Sequence, residues 1–220
     1  MLSEGPEAVP LEKNSLAMLL HVKFMKMIVI TGMILVSPFI RAQQPITVAV
    51  FSEATTIPFT SVLNSPIHPG VQFGTELNWK KGHRFRTYPS INVGYMFHKN
   101  LFQGVYANAE LGFDFVTSFG LNLKSKLGVG YLRTYTTQQE YQLKDGQYES
   151  KRDTGNSRFM PSVALGIGYN LHKNDPFSPE LFTLYQSWLE YPYSPGFIPI
   201  MTHTNIQFGG KFYISKKQSK

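Results

Sequence analysis

The chain has 220 residues, a formal net charge of +7 and no cysteine, and only 16% of its residues are charged. The absence of cysteine excludes disulfides, thiolate metal sites, cysteine nucleophiles and a lipidated N-terminal cysteine. The charged fraction is low against the roughly 25% of a soluble domain, and the scattered basic surplus argues against nucleic-acid binding.

The N-terminal part of the sequence carries the features of a secretion signal. An apolar stretch over 28–40 follows the basic Lys26 and precedes Ala42, a small residue suited to cleavage. We therefore predict a signal peptide over 25–42 and interpret 1–24 as an upstream extension that precedes the natural start. The alternative is a membrane anchor helix, which the basic residues within that region disfavour.

From residue 43 onward the chain alternates apolar and polar residues with a period of two. In the clearest segment, FQGVYANAELGFDF, one parity is apolar and the other is polar and contains glycine, as in a strand with one apolar face. No later segment has the about 18 continuous apolar residues of a membrane helix, so only a closed barrel would span a membrane. The eight predicted strands are 46–52, 70–80, 84–97, 102–115, 119–135, 160–171, 181–191 and 200–214.

The connections between these strands differ in length. Placing the N-terminus in the periplasm puts the long connections outside, which is the asymmetry of outer-membrane barrels. Two connections, 98–101 and 172–179, depart from this pattern. Pro89 lies inside the third strand, where a bulge would accommodate its missing N–H. The long connections are 53–69, 136–158 and 192–199, and the tight ones are 80–83 and 116–118.

The polar faces indicate which side of the barrel faces outward. A soluble barrel of the lipocalin type also alternates, but its apolar face points inward. Here the polar faces are rich in glycine, which weakens an exposed strand but in a narrow lumen leaves room for large neighbours such as Tyr88, Tyr106 and Arg86. Aromatic residues near the strand ends of the apolar face fit an interfacial girdle. They are Trp79, Tyr95, Phe97, Tyr131 and Tyr169.

Three segments resemble a known class of protein: 66–74 (PIHPGVQFG), 127–132 (LGVGYL) and the final strand. Through them the chain from 43 to 214 resembles the small outer-membrane β-barrels of Gram-negative bacteria, and more narrowly those of Bacteroidota. The resemblance implies an all-β, antiparallel up-and-down transmembrane β-barrel of about eight strands, located in the outer membrane and in contact with its lipids and lipopolysaccharide.

The same resemblance implies recognition by the barrel assembly machinery. The barrel signal has the order polar, any, glycine, any, any, aromatic, any, apolar, and the run QFGGKFYI matches it. An aromatic residue is usual at the last position, where this chain has isoleucine, and a basic tail follows over 215–220. The signal residues are Gln207, Gly209, Phe212 and Ile214.

Charged residues on the polar faces would meet inside such a barrel. Buried charges are costly unless they are paired, so we predict a salt-bridged network that fills the lumen. A proton or ion path is the alternative, although an eight-stranded barrel leaves no aqueous channel. The predicted network comprises Glu76, Arg86, Glu110, Asp114, Lys124, Lys126 and Lys211.

Residues with catalytic chemistry are sparse, and we predict no catalytic residue, metal ligand or cofactor. The run His203-Thr204-Asn205 resembles the His-any-Ser-Asn run of lipid A deacylase barrels, but threonine replaces the nucleophilic serine and His203 falls on the lumen face. Four other histidines lie in loops or turns without metal-ligand spacing and are expected to be solvated. They are His68, His83, His98 and His172.

We therefore predict a non-enzymatic, monomeric barrel that supports the outer membrane or binds an extracellular ligand through its outer loops. Exposed loops on a rigid scaffold are where binding usually resides, and the long charged loop over 136–158 is the main candidate. Two alternatives stay open. The barrel would be an enzyme that modifies lipid A, or it would be one subunit of a larger envelope complex.

Overall fold

The computed structural model describes residues 44–60, 66–77, 80–82, 84–99, 101–144, 146–151, 153–172, 175, 177–194 and 196–213. The predicted signal peptide over 25–42, the stretch before it and the basic tail lie outside the described residues. Within them the chain forms eleven strands: β1 Pro45–Ala54, β2 Pro69–Glu76, β3 Lys80–Lys81, β4 Phe85–Phe97, β5 Phe102–Val116, β6 Leu121–Thr136, β7 Glu140–Lys144, β8 Gln147–Lys151, β9 Asn156–Asn170, β10 Glu180–Glu190 and β11 Met201–Tyr213. The described part of the chain contains no helix that is long and apolar enough to cross a membrane.

Nine of these described strands form one antiparallel sheet whose edges meet. The order is β2-β1-β11-β10-β9-β6-β5-β4-β3, and β2 also pairs with β4, which closes the sheet. Because β2 and the two-residue β3 both pair with β4, they lie one after the other along the same side of β4 and count as one strand of the barrel. The described residues therefore form an eight-stranded, antiparallel up-and-down barrel, and the predicted fold class is confirmed.

Pro89 lies within β4, where its missing N–H changes the pairing on one side. The pairing of β4 with β5 runs through Pro89 in continuous register. On the other side, Glu76 of β2 pairs with Ser90, whereas Lys80 of β3 pairs with Thr87. These two pairings are four residues apart on the side of β2 and β3 but only three residues apart on β4. The register therefore shifts by one residue opposite Pro89, which has no N–H to donate there.

The barrel has two unlike ends. At one end Pro45 of β1 pairs with Tyr213 of β11, so both ends of the barrel sequence lie there. We call it the turn end, and its connections are 82–84, 117–120 and 171–179. The opposite end, the long-loop end, has the connections 55–68, 98–101, 137–155 and 191–200. The first, third and fourth of these are long, as the sequence predicts.

The outer wall of the barrel is apolar. Val93 and Leu127, which point outward, are 52% and 58% exposed, whereas Asn92, the neighbour of Val93, is 2% exposed and points into the lumen. An outward apolar band of this kind is what lipid contact requires, and soluble proteins rarely expose so large a patch. The predicted girdle residues Tyr95, Phe97, Tyr131 and Tyr169 are exposed on this wall, and Trp79 lies outside the described residues.

Candidate functional site

The turn end of the lumen holds a group of paired charges, which we call the turn-end cluster. Glu180 lies at its centre, because its carboxylate is 2.6 Å from the Lys124 ammonium and 3.7 Å from the Arg86 guanidinium. Asp114 contacts the same two cations, at 2.8 Å and 2.5 Å respectively. Lys211 pairs with Glu180 and, at 3.2 Å, with Glu76. Among the described side chains, three cations therefore face three carboxylates: Arg86, Lys124, Lys211, Glu76, Asp114 and Glu180.

A second polar layer surrounds Glu110 in the middle of the lumen. The Lys126 ammonium is 3.1 Å from its carboxylate. The amide groups of Asn92 and Gln186 each donate a hydrogen bond of 3.0 Å to the same carboxylate, and that of Asn108 donates one of 3.1 Å. Buried polar groups that are satisfied in this way stabilise a unique arrangement. A cavity of about 10 Å³ lies between this layer and the turn-end cluster, which is room for about one water molecule.

Glycines on the lumen face give two large rings the space that they need. A Cβ built on Gly112 would lie 2.5 Å from the ring of Tyr88, and one built on Gly94 would overlap the ring of Tyr106. Tyr88 donates a 2.9 Å hydrogen bond to Asp114. Both tyrosine side chains are fully buried. The glycines therefore let these rings pack across a narrow lumen, as the sequence predicts.

Toward the long-loop end the lumen is filled by apolar side chains. Trp188 is the largest of them, and it is 1% exposed. Because these side chains are in contact and bury their surfaces against one another, they close the lumen to water. The members of this apolar layer are Phe51, Met96, Phe102, Tyr106, Leu132, Met160 and Trp188.

His203 lies beside the apolar layer, between two carboxylates. Its Nδ1 is 2.7 Å from Glu53 and its Nε2 is 3.1 Å from Glu190, while the indole ring of Trp188 stacks on the imidazole at 4.0 Å between centroids. The hydroxyl of Thr55 is 3.3 Å from the same Nδ1 that Glu53 contacts more closely. A deacylase needs an imidazole nitrogen that activates a hydroxyl nucleophile. This fully buried arrangement does not favour that hypothesis, which stays untested.

Glu53 also faces two histidines that belong to different connections of the long-loop end. Its Oε2 is 3.9 Å from Nδ1 of His68, and the rings of His68 and His98 stack at 3.5 Å between centroids. Among the described residues, neither Glu53 Oε2 nor His98 Nδ1 has a hydrogen-bond partner. Burial lowers the pKa of His98, and the neighbouring His68 lowers it further. Sequence reasoning missed this group, because its members are far apart in the chain.

A cavity of about 270 Å³ opens at the mouth of the long-loop end. Arg158 forms part of its wall and pairs with Glu190 at 3.2 Å. The guanidinium also donates to the carbonyls of Pro192 and Tyr193, which fixes the connection 191–200 against the barrel. The cavity wall is mainly polar, and its other members include Phe102, Thr134, Tyr135, Asn156 and Ser194.

The connection 137–155 contains a β-hairpin within the long charged loop that the sequence predicts over 136–158. Strands β7 and β8 pair as far as Lys144 and Gln147, the sequence between these residues is Asp-Gly, and Gly146 has a φ of 81°. An Asp-Gly pair between alternating segments is a strong hairpin signal, so the sequence contained the information. Three large side chains share one face of the hairpin and are exposed: Tyr141, Leu143 and Tyr148.

The base of this hairpin is fixed to the barrel. The carboxylate of Asp153 accepts hydrogen bonds from the backbone N–H of Thr136, at 2.6 Å, and of Gly155, at 2.7 Å. The guanidinium of Arg133 donates to the carbonyl of Thr154 at 2.6 Å. The hairpin is thus an exposed element on an ordered support.

The structure brings together the seven charged residues predicted for the lumen in two groups, the turn-end cluster and the layer around Glu110. It adds Glu180, which sequence reasoning missed. Of the predicted assembly signal, Gln207 is buried in the lumen and donates to Gln186 at 2.7 Å, Gly209 faces inward, and Phe212 is exposed on the outer wall. Ile214 lies outside the described residues, and recognition by the assembly machinery stays a prediction.

Comparison with known proteins finds similarity in fold. No protein-family model matches the chain, and no curated protein matches it. The crystal structure of neisserial surface protein A is similar with a TM-score of 0.52 and 10% identity, over 79% of this chain and 98% of that chain. Ail of Yersinia pestis gives 0.46 and 14%, over 78% and 97%. The outer-membrane enzyme PagL gives 0.45 and 10%, over 77% and 99%.

The closed eight-stranded barrel and its exposed apolar wall define the class of this protein. A strand barrel satisfies its backbone hydrogen bonds within itself, which allows it to lie in lipid. The chain is therefore a transmembrane β-barrel of the outer-membrane type, its location is the outer membrane, and its outer wall contacts lipid. At these identities the likeness shows the fold and leaves the activity to other arguments.

Proposed function

We propose that this barrel is a non-enzymatic, monomeric protein that binds an extracellular ligand at its long-loop end. The observation that carries the proposal is the contrast between a filled lumen and an elaborated mouth. Ion pairs, amide groups and the apolar layer occupy the lumen, which argues against transport. At the mouth, the exposed Tyr141, Leu143 and Tyr148 stand on an anchored hairpin, and tyrosine is enriched where proteins bind partners.

The resemblance seen in the sequence supports three further parts of the proposal. The barrel assembly machinery would insert the chain through the signal at 207–214. Lipopolysaccharide would surround the outer half of the barrel, and the relatives would be the small barrels of Bacteroidota. These parts rest on the resemblance and on the lipid-facing wall.

Replacing the hairpin residues 140–151 by a short Gly-Ser linker should abolish ligand binding and leave the barrel folded. The deletion spares Asp153, which holds the base of the connection. Gram-negative cells that display the protein would be tested for adhesion to immobilised polysaccharides and extracellular-matrix proteins. Folding would be followed by heat-modifiable migration in gel electrophoresis.

A matched pair of variants compares the contributions that the two faces of the hairpin make to adhesion. Serine at Tyr141, Leu143 and Tyr148 should remove adhesion, whereas serine at Gln147 and Glu149, on the opposite face, should preserve it. Adhesion that survives the hairpin replacement would contradict the proposal. Loss of heat-modifiable folding in that variant would also count against it, since the hairpin would then be part of the barrel's own stability.

A further inference from the structure

The group formed by Glu53, His68 and His98 has the composition of a transition-metal site. Each residue offers one ligand atom, and these three atoms lie within 4.8 Å of one another. Two imidazoles and one carboxylate are ligands that Zn²⁺ and similar divalent metals prefer, with a fourth position left for water or a further donor. We infer that these three residues bind a divalent transition-metal cation at the long-loop end, independently of the proposed ligand binding.

An unpartnered buried oxygen supports this inference. Glu53 is 1% exposed, and its Oε2 has no hydrogen-bond partner among the described residues. A buried carboxylate oxygen without a partner carries a large desolvation cost. It points toward His68, at 3.9 Å, and a bound cation would satisfy it. The orphaned Nδ1 of His98 gives the same indication.

The surroundings of Glu53 resemble the supporting groups of metal sites. Its other oxygen, Oε1, contacts His203 at 2.7 Å, and His203 is held in turn by Glu190 and by stacking on Trp188. Outer groups of this kind fix the orientation of a metal-ligating carboxylate. Glu53 is therefore positioned before any cation arrives.

The side chains of the two histidines can move to bring the three ligand atoms to the distances that a bound cation needs. Ligand atoms about 2.0–2.2 Å from a tetrahedral Zn²⁺ lie roughly 3.4 Å apart, so atoms within 4.8 Å of one another must approach by at most about 1.4 Å. His68 lies in the connection 55–68 and His98 in the connection 98–101, and both side chains are partly exposed. The cation would thus join two connections to the end of β1.

Calorimetric titration of the untagged protein with Zn²⁺ tests the inference. The protein would be folded in detergent micelles and freed of metals with a chelator. We expect saturable binding of one Zn²⁺ per chain and no binding of Mg²⁺, which prefers oxygen ligands. His68→Ala and His98→Ala should each weaken Zn²⁺ binding at least about tenfold, since even outer groups contribute about 10–100-fold.

His172→Ala is the matched control, because His172 is exposed at the turn end, and it should leave the affinity unchanged. Absence of saturable Zn²⁺ binding would overturn the inference, as would binding that survives the double variant. If a variant fails to fold, chemical modification of the unaltered protein decides. Zn²⁺ should protect His68 and His98 from diethyl pyrocarbonate while His172 reacts equally with and without the metal, and equal reaction at all three would overturn the inference.

Discussion

Replacing Glu180 by glutamine should lower the free energy of unfolding of the barrel by about 3–5 kcal/mol, because it leaves buried charge uncompensated. The carboxylate is completely buried and contacts Arg86, Lys124 and Lys211. After the substitution, the turn-end cluster would hold three cations against two carboxylates among the described side chains. Urea titration of the protein in micelles, followed by the fluorescence of the buried Trp188, measures the change.

Two further variants identify the cause of the Glu180 effect. Glu149→Gln removes an exposed carboxylate of β8, and since exposed ion pairs contribute little, it should change the free energy of unfolding by no more than about 1 kcal/mol. Combining Glu180→Gln with Lys124→Met restores the charge balance and should recover part of the loss. If Glu180→Gln unfolds at the same urea concentration as the unaltered protein, the cluster does not stabilise the barrel.

Truncating Trp188 to alanine should destabilise the barrel by about 3–5 kcal/mol, because it empties the centre of the apolar layer. The indole is 1% exposed, stacks on His203 and belongs to that buried layer. The temperature at which the folded band disappears in gel electrophoresis is the appropriate measurement, since the substitution removes the buried tryptophan and leaves only Trp79 as a fluorescent probe.

The matched control for Trp188→Ala is Phe197→Ala. Phe197 is 83% exposed in the connection 191–200, so its truncation should change the stability by at most about 0.5 kcal/mol. Trp188→Phe keeps most of the apolar volume and should lose much less stability than Trp188→Ala. Equal melting temperatures for Trp188→Ala and Phe197→Ala would show that the lumen is not packed at this level.

The barrel could be predicted from the sequence because strands with alternating apolar and polar residues are stable in a membrane only as a closed barrel. A one-residue slip would turn every side chain to the other face, so a pattern such as that of β5 specifies both the strand and its inner side. The glycines opposite Tyr88 and Tyr106 indicated the same face as the inner one. Seven lumen charges could therefore be assigned before their partners were known.

Glu180 and the cluster around His203 could not be assigned in the same way. The inward positions of β10 include the apolar Phe182, Leu184 and Trp188, so the alternation of apolar and polar residues is blurred along this strand. Because the sequence did not distinguish an inner from an outer face of β10, its end residues Glu180 and Glu190 could not be assigned to the lumen. The group of Glu53, His68 and His98 was missed because it depends on two connections meeting the end of β1, which spacing along the chain does not show.

The central claim is that lipid covers the outer wall while packed side chains fill the lumen. The natural chain contains no cysteine, so single cysteines give a clean readout. Ala49 and Val50 of β1 are neighbours on opposite faces, with the first buried and the second exposed, and Ala164 and Leu165 of β9 repeat the arrangement.

The most direct test is the reaction of these four cysteine variants, folded in lipid vesicles, with a charged, water-soluble methanethiosulfonate. A cysteine at Ser150, on the exposed hairpin, should react rapidly. Cysteines at Ala49, Val50, Ala164 and Leu165 should all resist the reagent until the protein is unfolded. Reaction at Val50 or Leu165 would show that the wall faces water, and reaction at Ala49 or Ala164 would show that the lumen is open, and either result would contradict this account.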